Sequence, residues 1–273
     1  MLATFTPNHF LFTAGSFTGR LSGAEGVSLT PTSSYSTWFE IIADSLITED
    51  CYGLFIAVRA NGGGGSNKLL AINVGVDSAG GTSYVTIIPD LLFGNAVDVH
   101  YYFPIYIKAG SAVAIQTNCS HGSNIQCAMQ VYGKPTAPET IAWGSKVIAY
   151  GVTGRAGVAV TAGTAAEGSY TEIGTVGSDD RPFWWQYGVN VTDTTMVSDR
   201  IGVDLAIGDG SNFRQITNNS LILTDTSENV TRHANMMNQG YGPAAPGEKL
   251  YARMQYANGT ADTGWSIAMY GLV

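Results

Sequence analysis

Residues 72–76 read Ile72-Asn73-Val74-Gly75-Val76, and residues 203–207 read Val203-Asp204-Leu205-Ala206-Ile207. Each stretch leads into a loop of Gly, Asp and Ser that ends in an aromatic residue, Tyr84 in the first case and Phe213 in the second. The second stretch lies 131 positions after the first. Similarity at a fixed spacing is the signature of an internal repeat. The pair therefore predicts that the chain contains two copies of one unit.

Four further pairs of landmarks occur in the same order, which strengthens the prediction of a tandem duplication. The spacing grows from 131 positions near the start of the copies to 138 at their ends, so we expect longer loops in the second copy. The pairs are Gly26-Val27-Ser28-Leu29-Thr30 with Gly157-Val158-Ala159-Val160-Thr161, Glu40-Ile41 with Glu172-Ile173, residues 109–115 with residues 246–252, and Val131-Tyr132-Gly133 with Met269-Tyr270-Gly271.

The positions of the landmarks divide the chain into four segments. A length of 273 residues suits two domains of ordinary size. We expect one domain over 22–134 and a second over 150–273. Residues 135–149 form the linker, whose Pro135 and Pro138 restrict its flexibility and favour a fixed relative pose of the domains. Residues 1–21 have no clear counterpart and are interpreted as an N-terminal arm or an added strand.

Short apolar runs rich in Val, Ile, Tyr and Phe, bounded by Gly, Asn, Asp and Ser, predict an all-β fold. Seven or eight strands per copy is typical of a two-sheet β-sandwich, and the lack of a Cys/Trp/Cys arrangement favours a jelly roll over an immunoglobulin-like topology. Residues 89–93 alone suggest one turn of helix. The strands expected in the first copy are 37–42, 53–58, 69–77, 83–88, 101–107, 112–118 and 126–132.

The charge of the chain is low and acidic. Charged residues make up 12% of the total, where about 25% is usual, and the net charge is −8. Nucleic acid is an unfavourable partner, because phosphate binding needs a basic stripe. Depletion of charge suits a surface that packs against copies or neighbours. A coat-like β composition without a special interface is the alternative that remains open.

The start of the chain lacks the basic and apolar regions of a signal peptide, and no long apolar run predicts a membrane span. We therefore expect synthesis and assembly in a cytoplasm, with no membrane partner. The three cysteines are too few for a disulfide framework, so buried free thiols are predicted. A bridge between Cys119 and Cys127 across a hairpin is the alternative.

The residue pattern predicts no enzyme active site, no cofactor and no metal. The four histidines are scattered and lack metal-ligand spacing. The run 62–68 lacks the Gly-Lys-Ser/Thr ending of a phosphate-binding loop. The acid pairs Glu49-Asp50 and Asp179-Asp180 precede equivalent strands; solvated loop acids are favoured there, with calcium as the alternative. Glu40 and Glu172 are interpreted as strand-surface residues, and a hydrolase that uses them is the weakest hypothesis.

Two aromatic groups are candidates for partner contacts. The set 183–187 contains two tryptophans that supply large rigid surfaces, either for the core or for a sugar or protein partner. The apolar residues of the arm are expected to order on docking. The interface candidates are Trp184, Trp185, Phe5, Phe10, Phe12 and Phe17.

The repeated Gly-Val-x-Leu/Val-Thr openings, Val-Gly-Val-Asp at 74–77, Gly-Gly-Thr-Ser-Tyr at 80–84 and Tyr-Phe-Pro-Ile-Tyr-Ile-Lys-Ala-Gly-Ser at 102–111 resemble duplicated β-sandwich structural proteins of tailed bacteriophages. The second copy departs from the pattern, with Gly-Ser-Asn-Phe at 210–213. The resemblance implies a virion protein assembled in the host cytoplasm. A capsid cement or decoration protein that binds the phage major capsid protein and copies of itself is the first hypothesis; a tail or fibre component that binds host-surface glycan is the second.

Overall fold

The computed structural model describes residues 10–14, 27–30, 32–60, 69–93, 99–119, 125–133, 143–164, 166–191, 200–225, 230–233, 240–256 and 264–273. Within these ranges the chain forms β-strands and one 3₁₀ turn, Asp44–Leu46. The prediction of an all-β sandwich fold is confirmed. Among the described residues, no helix is long and apolar enough to cross a membrane.

The first half of the chain forms two antiparallel sheets. Sheet A has the order β1-β9-β4-β7, with β2 also paired to β9, and sheet B has the order β3-β8-β5-β6. The strands are β1 (Phe10–Ala14), β2 (Val27–Leu29), β3 (Phe39–Ile42), β4 (Cys51–Ala60), β5 (Leu70–Asp77), β6 (Val85–Phe93), β7 (Val99–Phe103), β8 (Ala112–Cys119) and β9 (Ile125–Gly133).

The second half forms two further sheets. Sheet C has the order β10-β19-β13-β17, with β11 also on β19, and sheet D has the order β12-β18-β14-β15-β16. The strands are β10 (Val147–Tyr150), β11 (Val158–Ala159), β12 (Thr171–Thr175), β13 (Trp184–Val191), β14 (Arg200–Gly208), β15 (Phe213–Asp225), β16 (Val230–His233), β17 (Gly240–Tyr241), β18 (Lys249–Tyr256) and β19 (Trp265–Leu272).

Strand order is the same in the two halves when β1, β10 and β16 are set aside. β2-β9-β4-β7 corresponds to β11-β19-β13-β17, and β3-β8-β5-β6 corresponds to β12-β18-β14-β15. Eight strands in two sheets with this order form a jelly roll. The register agrees as well, because Val74 lies opposite Ile115 and Leu205 lies opposite Ala252. Matching order and register are what the predicted repeat requires; the duplication itself stays a prediction.

Alternation along the strands builds a core between the sheets of each half, because successive side chains point to opposite faces. In β4, Leu54 and Ile56 are buried, while Phe55 between them is only half-buried. In β13, Trp185 and Tyr187 fill the second core, together with Trp265 from β19. Burial of such rings contributes more than any other class of side chain to a core.

The predicted helical turn at 89–93 is wrong, because these residues continue β6 through a bulge. Asp90 has a positive φ of 49°, and its amide donates to the Oδ1 of Asn73 at 2.9 Å. The second half has the same device: Asn219 has a φ of 50°, and its amide donates to the Oδ1 of Asp204 at 2.5 Å. In each half, a side-chain oxygen from the neighbouring strand therefore accepts the hydrogen bond of the bulge amide. In a helix, a backbone carbonyl would be the acceptor.

Two segments differ from the simple plan of arm, domain, linker and domain. Phe10–Ala14 pairs with β9, so this part of residues 1–21 is an added strand of sheet A. Val147–Tyr150 pairs with β19, so the end of the predicted linker 135–149 belongs to sheet C. In both cases an extra strand extends the sheet beside β2 or β11.

Cys51, Cys119 and Cys127 are buried and unbridged, as the favoured interpretation predicted. Burial raises the pKa of the Cys51 thiol to about 11 and that of Cys127 to about 12. Because the thiolate is the reactive form, we expect native cysteines at pH 8 to react with a thiol reagent at least about a hundredfold more slowly than in urea. Labelling followed by mass spectrometry measures this, and rapid modification of the native chain would contradict it.

Candidate functional site

The junction between the halves is a buried, hydrogen-bonded contact. Strand β19 brings Tyr270 against β6, where its hydroxyl accepts the Leu92 amide at 2.7 Å and donates to the Asp90 carbonyl at 3.0 Å. The hydroxyl of Tyr101 donates to the Leu92 carbonyl at 2.6 Å. Tyr270 of the second half thus forms hydrogen bonds with the backbone groups at the outer edge of β6. Without it, the Leu92 amide and the Asp90 carbonyl would lack these partners.

The rings at this junction are closely packed. Tyr101 and Tyr270 meet edge to face with centroids 6.0 Å apart, and both are buried. Burial raises the pKa of Tyr270 well above its ordinary value, so the hydroxyl stays protonated. Gly188 makes the approach possible, because a Cβ there would lie 2.9 Å from the Oη of Tyr101.

Polar contacts at other points also connect the halves. The Arg155 guanidinium donates to the Oδ1 of Asn118 at 3.1 Å and to the Ser33 carbonyl at 3.2 Å. Tyr270 and Leu272 also belong to the hydrophobic core that the first half forms. A buried core shared by two sandwiches opposes hinge motion between them.

The outer face of sheet D carries an aromatic and polar group that we name the Tyr170 cluster. Tyr170 stacks on Phe213 with centroids 4.4 Å apart, and Tyr251 meets Phe213 edge to face at 5.0 Å. The Arg253 guanidinium lies 4.6 Å from the centre of the Tyr170 ring. Phe213 remains 38% exposed, so one large ring is available to solvent.

Charged and amide side chains fix the Tyr170 cluster from one side. Asp204 is 2% exposed and accepts the Nε of Arg253 at 2.9 Å and an Nη at 2.8 Å. Arg253 also pairs with Glu167. Gln215 donates to the hydroxyl of Tyr170 and to Asp204, at 3.2 Å in each case. The polar groups are therefore held in place before any ligand arrives.

Sheet B carries a related group at the corresponding position, the Trp38 cluster. Trp38 lies over Gly75, where a Cβ would come within 2.6 Å of the indole, and its ring centroid is 5.6 Å from that of Tyr84. The hydroxyl of Tyr84 donates to Glu40 at 3.0 Å, and burial together with Glu40 raises the pKa of Tyr84 to about 12. Neutral Asn73 and Gln116, joined at 3.2 Å, stand where the second half has Asp204 and Arg253.

The sequence-predicted interface residues have different surroundings. Trp185 is fully buried, and its Nε1 donates to the Gly242 carbonyl at 2.7 Å, so it belongs to the core and is corrected from an interface candidate. Trp184 is half-buried and packs against the first-half core. Phe10 and Phe12 lie in β1, and Phe5 and Phe17 lie outside the described residues.

The acidic residues singled out in the sequence are dispersed. Asp50 accepts the Ala109 amide at 2.9 Å, and the described part of the chain contains no group of three His, Cys, Asp or Glu side chains that could hold a metal ion. Glu40 and Glu172 lie in separate halves, on exposed positions of β3 and β12. Glu172 forms an ion pair with Lys249 at 2.7 Å.

Sequence reasoning did not identify Trp38 and Tyr170 as members of matched clusters. Tyr84 and Phe213 were landmarks of the repeat, but their meeting with Trp38 and Tyr170 depends on sheet pairing. A signal was present, because both residues stand two positions before the paired glutamates. Residues two positions apart in a strand lie on the same face, so Trp38 and Tyr170 are expected on the same face as those glutamates.

The fold and these surfaces define the class: an all-β protein of two jelly-roll sandwiches with a buried junction. No family model matches the chain, and no curated protein matches it either. The solved structures that resemble it are distant.

Three of these structures illustrate the different kinds of protein that resemble the chain. A capsid protein in the structure of broad bean stain virus has 9% identity and a TM-score of 0.35, with 90% of this chain and 87% of that chain covered. The tandem CBM22 domains of Paenibacillus barcinonensis Xyn10C have 11% identity and a TM-score of 0.30, with 97% and 98% covered. PNGase F, a glycosylasparaginase from Flavobacterium meningosepticum, has 9% identity and a TM-score of 0.33, with 90% and 95% covered.

Proposed function

We propose that the chain is a non-enzymatic structural protein of a phage virion, of the capsid cement or decoration type. The observation that carries the proposal is the junction at Tyr270, because it joins two sandwiches into one body with several outer surfaces. A body of this kind transmits force between the molecules that it contacts. The low charge of the chain supports a role in which surface is covered by neighbours.

The mechanism of such a protein is mechanical. Each copy binds the major capsid protein through weak contacts, and repetition by the symmetry of the shell raises the avidity. A rigid junction is required, because a hinge between the sandwiches would absorb the outward strain instead of opposing it. The chain would be assembled onto particles in the host cytoplasm.

Cryo-electron microscopy of particles from the source phage tests this proposal. The expected result is density for both sandwiches on the capsid exterior, at a fixed angle and in contact with coat subunits. Shells stripped of the chain should rupture at lower temperature and recover on addition of the purified protein. Location on the tail, or absence from particles, would contradict the proposal.

Glycan binding is the second candidate function, and the Tyr170 cluster is the observation that favours it. An exposed aromatic ring provides a face for a sugar ring, and fixed polar side chains beside it provide hydrogen-bond partners for hydroxyls. Phe213, stacked on Tyr170, and the exposed amide of Gln215, bonded to the Tyr170 hydroxyl, place these two elements within one surface. A tail or fibre component that recognises host-surface glycan would use such a site.

Replacement of the exposed ring tests the second candidate. In Phe213→Ala, we expect affinity for glycans selected on an array with the unaltered protein to fall at least about tenfold, because the stacking surface is lost. Phe39→Ala is the matched control, since Phe39 is 43% exposed on a different sheet. Failure of the unaltered protein to bind any array glycan would contradict glycan recognition.

A further inference from the structure

The outer face of sheet A forms an aromatic surface, which we name the Tyr132 face. It consists of Phe55, Ala57, Tyr102, Gln130 and Tyr132, all half-buried. Phe55 lies opposite Gln130 and Tyr102 in the strand register, whereas the intervening Leu54 and Ile56 are buried in the core. The named residues therefore share one side of the sheet.

Ring contacts hold the Tyr132 face in shape. Tyr102 and Tyr132 meet edge to face with centroids 5.7 Å apart. Tyr102 lies over Gly53, where a Cβ would come within 2.6 Å of its hydroxyl oxygen. Phe55 packs beside His100 at 5.3 Å. A fixed aromatic surface loses little conformational entropy on binding, and aromatic residues are enriched at the centres of interfaces.

The second half shows what such a face can bind. Tyr270 and Ala268 on β19 occupy the positions of Tyr132 and Gln130 on β9, by the strand order and the Tyr-Gly landmarks. Both second-half residues are fully buried, because the first sandwich of the same chain lies against them. The outer face of this jelly-roll sheet is therefore a place where another sandwich of this protein packs.

We propose that the Tyr132 face binds a second copy of this chain. The face is continuous with the internal junction, since the Tyr102 carbonyl accepts a hydrogen bond from the Gln186 amide of the second half. A second copy seated there extends that interface. Phe55 occupies the position that corresponds to Gly188 in the second half. The second copy therefore packs against a projecting phenyl ring, whereas the first sandwich packs against a glycine. The inference rests on the structural role proposed above and adds self-association to it. The self-association can be tested with the purified chain, without phage particles.

Sedimentation velocity of the full chain over a range of concentrations tests the proposal. The unaltered protein, of 28.8 kDa, is expected to reach at least twice that mass. In Phe55→Lys, we expect self-association at least about tenfold weaker, because a charge enters the centre of the contact. Phe39→Lys, which places the same change on an exposed ring of sheet B, should associate as the unaltered chain does.

A second measurement covers the case in which Phe55→Lys fails to fold, as judged by circular dichroism. Hydroxyl-radical footprinting of the unaltered chain should show lower oxidation of Tyr102 and Tyr132 at high concentration than at low concentration. A protein that stays monomeric, or that associates with unchanged oxidation of both tyrosines, overturns the proposal. Equal loss of association in both lysine variants overturns it as well. Binding to shells is measured separately, so a monomer that decorates particles would refute only the self-association.

Discussion

The Asp204→Ala protein is expected to lose about 3–5 kcal/mol of its free energy of unfolding, as measured in urea. Asp204 is buried and is the shared acceptor for Arg253, for Gln215 and for the amide of Asn219. Its removal leaves a largely enclosed guanidinium without its main partner and a bulge amide without an acceptor. Each loss costs the full desolvation free energy of the buried group that is left without its partner.

The first half suggests a neutral replacement for the Asp204–Arg253 pair. Asn73 and Gln116 occupy the corresponding positions and form a neutral hydrogen bond, and Asn73 still accepts the bulge amide of Asp90. The double variant Asp204→Asn/Arg253→Gln copies that arrangement into the second half. We expect the double variant to be more stable than Arg253→Gln alone, because the single change leaves the buried carboxylate of Asp204 without its charged partner, whereas the double change removes both charges.

Glu172→Ala is the matched control for Asp204→Ala. Its ion pair with Lys249 has a comparable distance, but both side chains are 43% exposed. Water screens an exposed pair, so the expected loss is at most about 1 kcal/mol. Equal losses for Asp204→Ala and Glu172→Ala would show that the buried pair does not hold the bulge as described.

The sequence predicted strands well where an apolar run is bounded by turn residues. The runs at 69–77, 112–118 and 126–132 correspond closely to β5, β8 and β9, whose residues are mostly buried. The failure at 89–93 has a non-local cause: the carboxamide oxygen of Asn73, seventeen positions away on β5, accepts the hydrogen bond of the Asp90 amide. Local pattern alone gives no indication of an acceptor that arrives from a neighbouring strand.

The surfaces were harder to predict than the fold. Trp185 was named as an interface candidate because a run of aromatic residues does not indicate which ring points inward. The Tyr170 cluster combines residues from β14, β15 and β18 with Tyr170 itself, and only sheet order brings them together. The sequence contains every member of the cluster, but their shared face depends on pairings between distant strands.

The Gly188→Phe protein is expected to lose the fixed connection between its two halves. The counterpart of Gly188 in the first half is Phe55, so the variant places a residue that this jelly roll already tolerates on the same sheet face. At the junction, however, even a Cβ would lie 2.9 Å from the Oη of Tyr101 and 3.1 Å from Leu92 and Tyr270. The ring cannot enter without displacement of β6.

We expect Gly188→Phe to be destabilised by about 3 kcal/mol, because a close-packed interior tolerates added volume poorly. The single unfolding transition expected of the unaltered chain should become two in calorimetry, and small-angle scattering should show a larger radius of gyration. Val85→Phe is the control, since Val85 is 68% exposed at the other end of β6. An unchanged transition and radius in Gly188→Phe would mean that the halves are not held by this contact, and the mechanical role proposed for the chain would lose its basis.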